Sequence, residues 1–413
     1  MEFSFAIDGT FKFLPIDYSI SLARIQDRTQ RVIFDNNLQG DRVRILLSNK
    51  FAKGTLRLER MTVGRAEGGT VAEPEEVLLR GCREIILQPG EEVYSDEIAL
   101  HTEPGSRIAV SCYIGCAQEI ESVCGFWAKG GPLVTLNRHG DATDGREYED
   151  VPAQEIYPLI QEDPSPLKAM FFYGFSVVQV YTEDSVKSIA AFGDSITHMG
   201  FVANELYKRL YQAYPGRAAL QNCGIGGNRL LRDATYIEEA PGHARMFGQA
   251  GIKRFERDVF GTEETDTVLV LAGINDIMHP VRFGCDGGVP PAAGEMEKGY
   301  MCLAETAKKH HARIFGATIT PCGNREYPEG WMELFEGTRL PVNEWLRSTD
   351  VFEKVFDYDA AVRDEEKSGY MRAESHIGDG LHPNEKGGAA ISDTIDLGLL
   401  MGEISKNDNP KHK

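Results

Sequence analysis

The hydrophobic pattern of the chain changes its period near residue 184, and this change constrains the fold more than any other feature. From residue 185 onward, short apolar segments alternate with segments of helical period, beginning with 186–192 and then 202–214. Strand–helix alternation of this kind predicts a parallel sheet with helices on both faces. The same alternation places further elements at 218–223, 244–260, 267–272, 293–311, 314–318, 354–357 and about 384–401.

The first part of the chain has a different pattern, in which apolar and polar residues alternate over short segments. Segments 42–47 and 107–113 are of this kind, and glycine pairs such as the one at 68–69 separate them. Many short alternating strands with turns between them are typical of a β-sandwich or jelly roll. We therefore expect an all-β sandwich domain at 1–184 and an α/β domain at 185–413.

The length of 413 residues suits two domains. The charge of the chain argues against several classes of binding partner. A formal net charge of -19 argues against a nucleic-acid or anionic membrane surface, since such surfaces need clustered Lys and Arg. No segment approaches the apolar length of a membrane span, and the first residues lack the basic start of a signal peptide. We therefore expect a cytoplasmic protein without a membrane or nucleic-acid partner. The oligomeric state is left open, a homo-oligomer included.

The eight cysteines are sparse for a disulfide scaffold, so reduced thiols are expected in that compartment. Cys112, Cys116 and Cys124 are close in sequence, but they lack the paired short spacing and the histidine partner of a zinc site. The glycine-rich run at 224–229 resembles part of a dinucleotide fingerprint, yet Arg229 stands where the third glycine is needed. The sequence therefore predicts neither a metal nor another cofactor.

A serine directly follows the first strand of the α/β region, in the run Gly193-Asp194-Ser195. Ligands of parallel α/β sheets bind at the carboxyl ends of the strands, where this hydroxyl is expected. A serine needs a nearby base to act as a nucleophile at neutral pH, and the pattern Asp379-x-x-His382 supplies one. At this spacing a carboxylate reaches the imidazole, fixes its tautomer and supports the imidazolium. Capping of the last helix is the alternative role of these two residues, and the serine motif favours catalysis.

Three hydrogen-bond donors are expected near that serine, at the ends of three successive strands. They are the backbone N–H groups of Ser195 and Gly227 and the side-chain amide of Asn275. Fixed donors of this kind stabilise the oxyanion that develops during acyl transfer. Taken singly, Gly227 suits a plain turn and Asn275 suits an Asx-turn with Asp276. Their common position at strand ends favours an oxyanion hole.

Together these motifs resemble those of the SGNH, or GDSL, hydrolase family, over most of the α/β region. Ser195 matches the nucleophile of the family, and Gly227 and Asn275 match its oxyanion residues. Asp379 and His382 match its terminal Asp-x-x-His. The resemblance implies a flavodoxin-like three-layer fold and hydrolysis of esters by a serine nucleophile without a metal.

Three further segments, 42–49, 222–231 and 254–259, resemble the xylan esterase-like branch of this family. Members of that branch carry a β-rich region before the hydrolase domain. The resemblance implies an acetylesterase that removes short acyl groups, above all acetyl, from carbohydrates such as acetylated xylo-oligosaccharides. Because many members are exported and this N-terminus shows no signal peptide, short oligosaccharides are favoured over polymeric xylan.

Two long loops are expected at the catalytic face, at 277–291 and 320–340. Tyr327 and Trp331 in the second loop are candidates for stacking on a sugar ring, with packing against the body of the protein equally open. Trp127 in the β-rich part could likewise contact a sugar or pack in the core, and a core position is favoured. A general short-chain ester or thioester hydrolase is an alternative function, and a catalytically decayed carbohydrate-binding protein is a second one.

Overall fold

The N-terminal part of the protein is built from antiparallel strands. The computed structural model describes residues 6–128, 133–147, 149–159, 169–183, 185–323 and 329–403. Its N-terminal elements are β1 (Ala6–Lys12), β2 (Ile16–Asp17), β3 (Ala23–Ile25), β4 (Arg28–Asp35), β5 (Gly40–Ser48), β6 (Leu56–Leu58), β7 (Arg60–Glu67), β8 (Thr70–Glu76), β9 (Ile85–Leu87), β10 (Glu92–Tyr94), β11 (Ile98–Thr102), β12 (Arg107–Ile114), β13 (Gln118–Ile120), β14 (Ser122–Phe126), β15 (Leu133–His139), α1 (Ala153–Ile156), β16 (Met170–Phe172) and β17 (Gly174–Thr182).

Two five-stranded antiparallel sheets face each other across one hydrophobic core. One has the order β1-β17-β5-β10, with β11 also paired to β5, and the other has the order β15-β4-β12-β7-β8. The alternation within β5 puts Val43, Ile45 and Leu47 fully into this core and keeps the two arginines beside them partly exposed. Strands β1-β17-β5-β11 and β8-β7-β12-β4 follow the strand order of a jelly roll, so the predicted sandwich is confirmed.

The C-terminal part is an α/β domain, as the strand–helix alternation predicts. Its elements are β18 (Lys187–Gly193), α2 (Ser195–His198), α3 (Phe201–Ala213), β19 (Ala218–Gly224), α4 (Gly251–Phe260), β20 (Thr267–Leu271), α5 (Ile274–Phe283), α6 (Ala293–Lys309), β21 (Arg313–Ala317), α7 (Trp331–Ser348), β22 (Val355–Phe356), α8 (Tyr358–Val362), α9 (Glu385–Asp393) and α10 (Leu397–Leu400), with short 3-10 segments at Pro241–Phe247, Cys285–Gly288 and Ala373–Ser375. The strands form one parallel sheet in the order β19-β18-β20-β21-β22, which is the flavodoxin-like order. Helices α3 and α9 pack together, and α4, α6 and α7 form a second group. In the described part of the chain, no helix has the length and apolar character that a membrane crossing requires.

The strand order creates a topological switch point beside β18. The chain passes from β18 to β19 on one side and then to β20 on the other, and ligand crevices form where such connections diverge. Gly193 at the end of β18 is paired with Gly224 of β19 and lies opposite Leu271 of β20. Residues that directly follow these three strand ends therefore lie side by side.

The structure corrects the sequence-based expectation at several element boundaries. The helix expected at 244–260 begins later, with α4, because Gly248 has a φ of 74° that no helix accommodates. The helix expected at about 384–401 is two helices, α9 and α10. Both expected loops are shorter than predicted, since α5 continues through Pro280 and α7 begins at Trp331.

The two domains pack against each other where β1 runs beside β19, the edge strand of the parallel sheet. Phe13, just after β1, forms a parallel bridge with Asn222 of β19. The Lys12 ammonium lies 3.9 Å from the Glu263 carboxylate, and both side chains are at most 2% exposed. The domain boundary at 184/185 stays a prediction; it falls between the end of β17 and the start of β18.

Candidate active site

Ser195 is the first residue of helix α2, directly after the turn that ends β18. Asp194 caps this helix, since its Oδ1 accepts the backbone N–H of Ile196 at 3.0 Å. The first N–H groups of a helix have no partner within it, and the N–H of Ser195 has no acceptor among the described residues. The hydroxyl and the free N–H of one residue thus lie together at the carboxyl end of the sheet.

An unbroken chain of hydrogen bonds joins Ser195 to His382 and Asp379. Ser195 Oγ lies 2.8 Å from His382 Nε2, and His382 Nδ1 lies 2.6 Å from Asp379 Oδ2. The other carboxylate oxygen accepts the backbone N–H groups of Leu381 and His382, both at 3.0 Å. The fixed carboxylate holds the proton on Nδ1, which leaves Nε2 free to accept the serine proton.

The two carboxyl groups beside the nucleophile have very different pKa values. Burial alone would raise the pKa of Asp379, but its bonds to the His382 ring and to two backbone N–H groups outweigh burial and lower the pKa to about 2. Burial raises the pKa of Asp194 to about 7, and its Oδ2 has no hydrogen-bond partner among the described residues. Asp379 is therefore ionised at neutral pH, whereas burial favours the protonated form of Asp194.

The predicted oxyanion donors come from the strand ends next to Ser195. Gly227 follows β19, and among the described residues its N–H has no acceptor. Asn275 stands in the first turn of α5, after β20, where it is buried and donates one amide hydrogen to the Asn228 carbonyl at 3.0 Å. Its second amide hydrogen has no acceptor among the described residues. The structure thus brings Ser195, Gly227 and Asn275 to one edge of the sheet, and their role as an oxyanion hole stays a prediction.

Glycine is required at position 227 for two reasons. Its φ of 72° lies in the left-handed region that side-chain-bearing residues rarely adopt. A Cβ at this position would also lie 2.1 Å from Cδ1 of Phe247. The Phe247 ring therefore covers one side of the segment 225–228, which we call the oxyanion loop, and leaves its backbone no room to move in that direction.

Sequence reasoning missed a buried arginine that holds the oxyanion loop in place. Arg254 on α4 donates to the carbonyls of Gly193 and Cys223 at 2.8 and 3.0 Å. Its Nε also donates to Asn228 Oδ1 at 2.8 Å. One guanidinium thus links the ends of β18 and β19 to the oxyanion loop.

Asp276 secures the chain just after the oxyanion loop. Its two carboxylate oxygens accept the backbone N–H groups of Leu230 and Leu231 at 2.5 and 2.8 Å, and burial raises its pKa to about 6. A signal for the arginine was present in the sequence, because Arg254 and Asp258 stand four residues apart on the apolar face of a helix. Asp276 directly follows Asn275, so the motif that contains Asn275 also pointed to this carboxylate.

The structure places the candidate substrate residues in different surroundings. Trp331 begins α7, its side chain is 5% exposed, and its ring packs against Phe335 with centroids 5.6 Å apart. Because this ring is part of the core, the expectation that it stacks on a sugar is corrected. Tyr327 lies outside the described residues. Trp127 is partly exposed and stands edge-on to His198, with ring centroids 5.0 Å apart, at the junction of the two domains.

The eight cysteines are all free thiols. Cys112 and Cys124 are buried, and burial raises the pKa of both thiols, whereas Cys116 is exposed. Over the described ranges of the chain, no three histidine, cysteine, aspartate or glutamate side chains converge as a metal site would require. The closeness of the three cysteines in sequence therefore does not bring them together in the fold.

Comparison with known proteins matches most of the C-terminal domain to a protein family. Residues 191–390 match the model of the GDSL-like lipase/acylhydrolase family. Residues 191–390 therefore form a GDSL-like lipase/acylhydrolase domain. The matched segment of the GDSL hydrolase domain contains all five residues of the predicted catalytic set, so the family inferred from the motifs is confirmed: Ser195, Gly227, Asn275, Asp379 and His382.

The GDSL hydrolase domain is also similar to solved structures. An acetyl xylan esterase from Geobacillus stearothermophilus has 20% identity and a TM-score of 0.39, with 54% of this chain and 98% of that chain covered. An alpha/beta hydrolase enzyme from the metagenome of Lake Arreo, Spain, has 21% identity and a TM-score of 0.36, with 53% and 97% covered. A GDSL-like lipase from Bacteroides thetaiotaomicron has 16% identity and a TM-score of 0.35, with 52% and 88% covered. No curated protein matches the chain.

Proposed function

We propose that the protein is a serine esterase that removes short acyl groups, above all acetyl, from carbohydrates. The observation that carries the esterase part is the hydrogen-bond chain from Asp379 through His382 to Ser195, with distances of 2.6 and 2.8 Å. An intact chain of this kind also speaks against a catalytically decayed carbohydrate-binding protein. The carbohydrate part rests on the resemblance of the sequence to the xylan esterase-like branch.

In the first step, the Ser195 hydroxyl attacks the acyl carbon of the ester. His382 Nε2 takes the serine proton as the Oγ–C bond forms, and Asp379 supports the resulting imidazolium. The carbonyl oxygen becomes an oxyanion, and the N–H groups of Ser195 and Gly227 and the amide of Asn275 donate to it. His382 then gives the proton to the alcohol oxygen of the sugar as the bond between that oxygen and the acyl carbon breaks.

In the second step, water releases the acid and restores the enzyme. The water oxygen attacks the acyl carbon of the Ser195 ester while His382 takes one water proton. Collapse of the second oxyanion breaks the Oγ–C bond, and His382 returns the proton to Ser195. Each turnover therefore consumes one ester and one water and yields one carboxylic acid and one free hydroxyl.

A panel of acyl donors tests the proposal. The protein is incubated with acetylated oligosaccharides of xylose and of other sugars, with nitrophenyl esters from acetyl to octanoyl, and with an acetyl thioester. We expect kcat/KM to be greatest for acetyl and to fall about tenfold or more by butyryl or hexanoyl. The reason is that an added methylene gains ~0.8 kcal/mol only against a buried apolar wall, whereas we expect it to meet the oxyanion loop or water here.

Ser195→Ala is the control for the same panel. We expect its kcat to fall by about two to six decades while its circular dichroism and melting temperature stay those of the parent, because only a small hydroxyl is removed. Activity within a few-fold of the parent would exclude Ser195 as the nucleophile. Rates that rise steadily to octanoyl, with no acetate released from any sugar, would contradict the carbohydrate part.

A general short-chain ester or thioester hydrolase is the second candidate. The burial of Trp331 favours it, since this ring was one of the two expected to stack on a sugar. Efficient cleavage of nitrophenyl acetate and of the thioester, with acetylated sugars left intact, would identify this function. The cytoplasmic location and the oligomeric state stay predictions.

A further inference from the structure

His198 is a buried histidine that the catalytic steps above do not use. It is the last residue of α2, three residues after Ser195, and is 1% exposed. Burial lowers its pKa to about 4, against a smaller opposing effect of the Gly125 backbone. The ring is therefore neutral at the pH at which a serine esterase works, and one of its nitrogens is a hydrogen-bond acceptor.

The accepting nitrogen of His198 is bonded to the oxyanion loop. The backbone N–H of Gly226 donates to His198 Nδ1 at 3.0 Å, so Nδ1 carries no proton. Gly226 lies against the nucleophile, because a Cβ placed on it would be 4.0 Å from Ser195 Cβ. With the Gly226 N–H engaged by His198, the next N–H of the loop, that of Gly227, is left without an acceptor among the described residues.

Backbone contacts fix the position of His198 against the end of β19. Asn222 Nδ2 donates to the carbonyls of Thr197 and His198 at 3.0 and 3.4 Å. A Cβ on Gly224 would lie 2.5 Å from the backbone nitrogen of His198, so only glycine allows this approach. The strand that leads into the oxyanion loop therefore also supports the histidine bonded to that loop.

The N-terminal domain contacts His198 from the other side. Trp127, which follows β14, stands edge-on to the imidazole with ring centroids 5.0 Å apart. The backbone N–H groups of Trp127 and Ala128 donate to the Met199 carbonyl at 3.2 and 2.9 Å. His198 thus lies between the oxyanion loop and the jelly-roll domain.

We propose that His198 is a positioning residue for the oxyanion loop and that Trp127 of the N-terminal domain holds it in place. The inference rests on the proposed esterase function and goes beyond it, because it makes the N-terminal domain part of the catalytic geometry. An acceptor at Nδ1 keeps the Gly226 N–H turned toward His198 and thereby keeps the Gly227 N–H directed at the oxyanion. Loss of that acceptor affects the transition state more than the bound substrate, since the oxyanion exists only in the former.

Paired variants separate positioning from packing. His198→Leu fills the space without an acceptor, whereas His198→Asn places a side-chain carbonyl near the position of Nδ1. We expect His198→Leu to lower kcat about 10- to 100-fold with KM within about threefold, and His198→Asn to recover most of the loss. We expect Trp127→Ala to lower kcat about 3- to 10-fold and Trp127→Phe, which keeps an aromatic edge, to lower it less. His139→Leu replaces an exposed histidine and is the matched control.

Nitrophenyl acetate kinetics and thermal unfolding are measured on the same preparations. A loss of kcat in His198→Leu at unchanged KM, with recovery in His198→Asn, supports the proposal. Equal kcat in the two variants overturns it, even if both are slow, because packing alone would then explain the loss. If His198→Leu does not fold, the Trp127 pair decides, and equal kcat in Trp127→Ala and Trp127→Phe overturns the proposal. A parent protein that cleaves no ester overturns the proposed function, and this inference with it.

Discussion

Asp194 and Asp379 both stand near Ser195, and their surroundings shift their pKa values in opposite directions. Asp379 accepts hydrogen bonds from Leu381 and His382, which keep its pKa at about 2. Asp194 accepts one N–H at Oδ1, has no partner at Oδ2 among the described residues, and has a pKa of about 7 because it is buried. Burial therefore favours the neutral form of the carboxyl that caps α2.

The raised pKa of Asp194 predicts a specific pH dependence of stability. Between the unfolded pKa of 3.8 and the folded pKa of about 7, the folded protein keeps a proton that the unfolded chain has released. The folded state binds more protons in this window, so the contribution of Asp194 to the free energy of unfolding falls as pH rises. Asp194→Asn keeps the acceptor for Ile196 and removes the titration. Its free energy of unfolding should fall less between pH 5 and pH 8 than that of the parent, by on the order of 2 kcal/mol.

Urea unfolding of parent and variant at several pH values measures this difference. Asp276, whose pKa is raised to about 6, is present in both proteins, so the comparison isolates Asp194. Parallel pH profiles for the two proteins would show that Asp194 is already ionised in the folded state at pH 5.

Removal of the base should cost more activity than removal of the group that orients it. We expect His382→Ala to lower kcat by about three to six decades and Asp379→Asn by fewer, because the imidazole transfers the proton and the carboxylate only holds the imidazole. Since the pKa of Asp379 is about 2, its replacement should lower the rate at every pH above 4 rather than shift the acid limb of the profile. Full activity of His382→Ala at neutral pH would mean that another group is the base.

At the scale of elements, the site depends on how closely the turns after β18 and β19 approach each other. Arg254 bonds both strand ends to the oxyanion loop, and Phe247 covers the loop from outside. Among the described residues, the N–H of Gly227 in this loop has no hydrogen-bond acceptor. The position of that N–H is set by steric contacts on one side and hydrogen bonds on the other.

Gly227→Ala should therefore lower activity as well as stability, whereas Gly68→Ala, at a similar φ, should lower stability alone. The new methyl meets a φ of 72° and the Phe247 ring, so the oxyanion loop must shift. We expect kcat to fall about 10- to 100-fold, at a cost in unfolding free energy of roughly 1–3 kcal/mol. Gly68→Ala is the matched control, because Gly68 has a φ of 64° and a methyl group added to it would have no neighbouring atom within 4 Å.

Steady-state kinetics and chemical unfolding of both alanine variants measure the two costs separately. The Gly68 variant should lose only stability, by about 1 kcal/mol. Equal kcat in the two variants would contradict a role of the Gly227 segment in catalysis.

The candidate catalytic residues could be found from sequence because each sits in a short local motif, after a strand or just before the last helices. Ser195, Asn275 and His382 need no knowledge of distant contacts to be recognised. His198 and Arg254 could not be assigned, since their roles arise from contacts with segments about 28 and 61 residues away along the chain. The spacing of Arg254 and Asp258 points to a buried pair, but a local pattern does not show which distant groups these side chains contact.

The wrong loop expectations have a related physical cause. Glycine and proline near 277–291 indicated irregular structure, yet α5 accommodates Pro280 within a helix. Residues 331 and 335 were expected in a loop, but they lie on the buried side of α7. Tertiary packing thus overrode local preferences in both segments.

At the scale of the whole molecule, the loop after α4 fastens the two domains together. Glu263 accepts the backbone N–H of Gly9 at 2.6 Å and faces the Lys12 ammonium. The hydroxyl of Tyr94 and the amide of Gln179 both donate to the Thr262 carbonyl at 3.0 Å. Because the Lys12–Glu263 pair is buried and the three hydrogen bonds are partly buried, the two domains are expected to unfold as one cooperative unit.

The buried pair predicts a non-additive loss of stability. Glu263→Gln and Lys12→Met should each lower the free energy of unfolding by about 3 kcal/mol, because each leaves a buried charge without its partner. The double variant should lose clearly less than the sum of the two, and urea unfolding measures all three. Glu67→Gln is the control, since it breaks an ion pair with Arg65 in which both side chains are 59% exposed, and should cost less than ~1 kcal/mol. Strict additivity would show that Lys12 and Glu263 do not interact.

The bridge from Phe13 to Asn222 has a consequence for the solubility of the hydrolase domain. Strand β19 is the outermost strand of the parallel sheet, and its free N–H and C=O groups would otherwise form an open edge. Open edges recruit strands from other molecules and lead to aggregation. The jelly roll lies against this edge through β1 and so protects the sheet from intermolecular pairing. A fragment that begins at residue 185 would contain all five predicted catalytic residues. Its β19 edge would be exposed, however, and would promote aggregation.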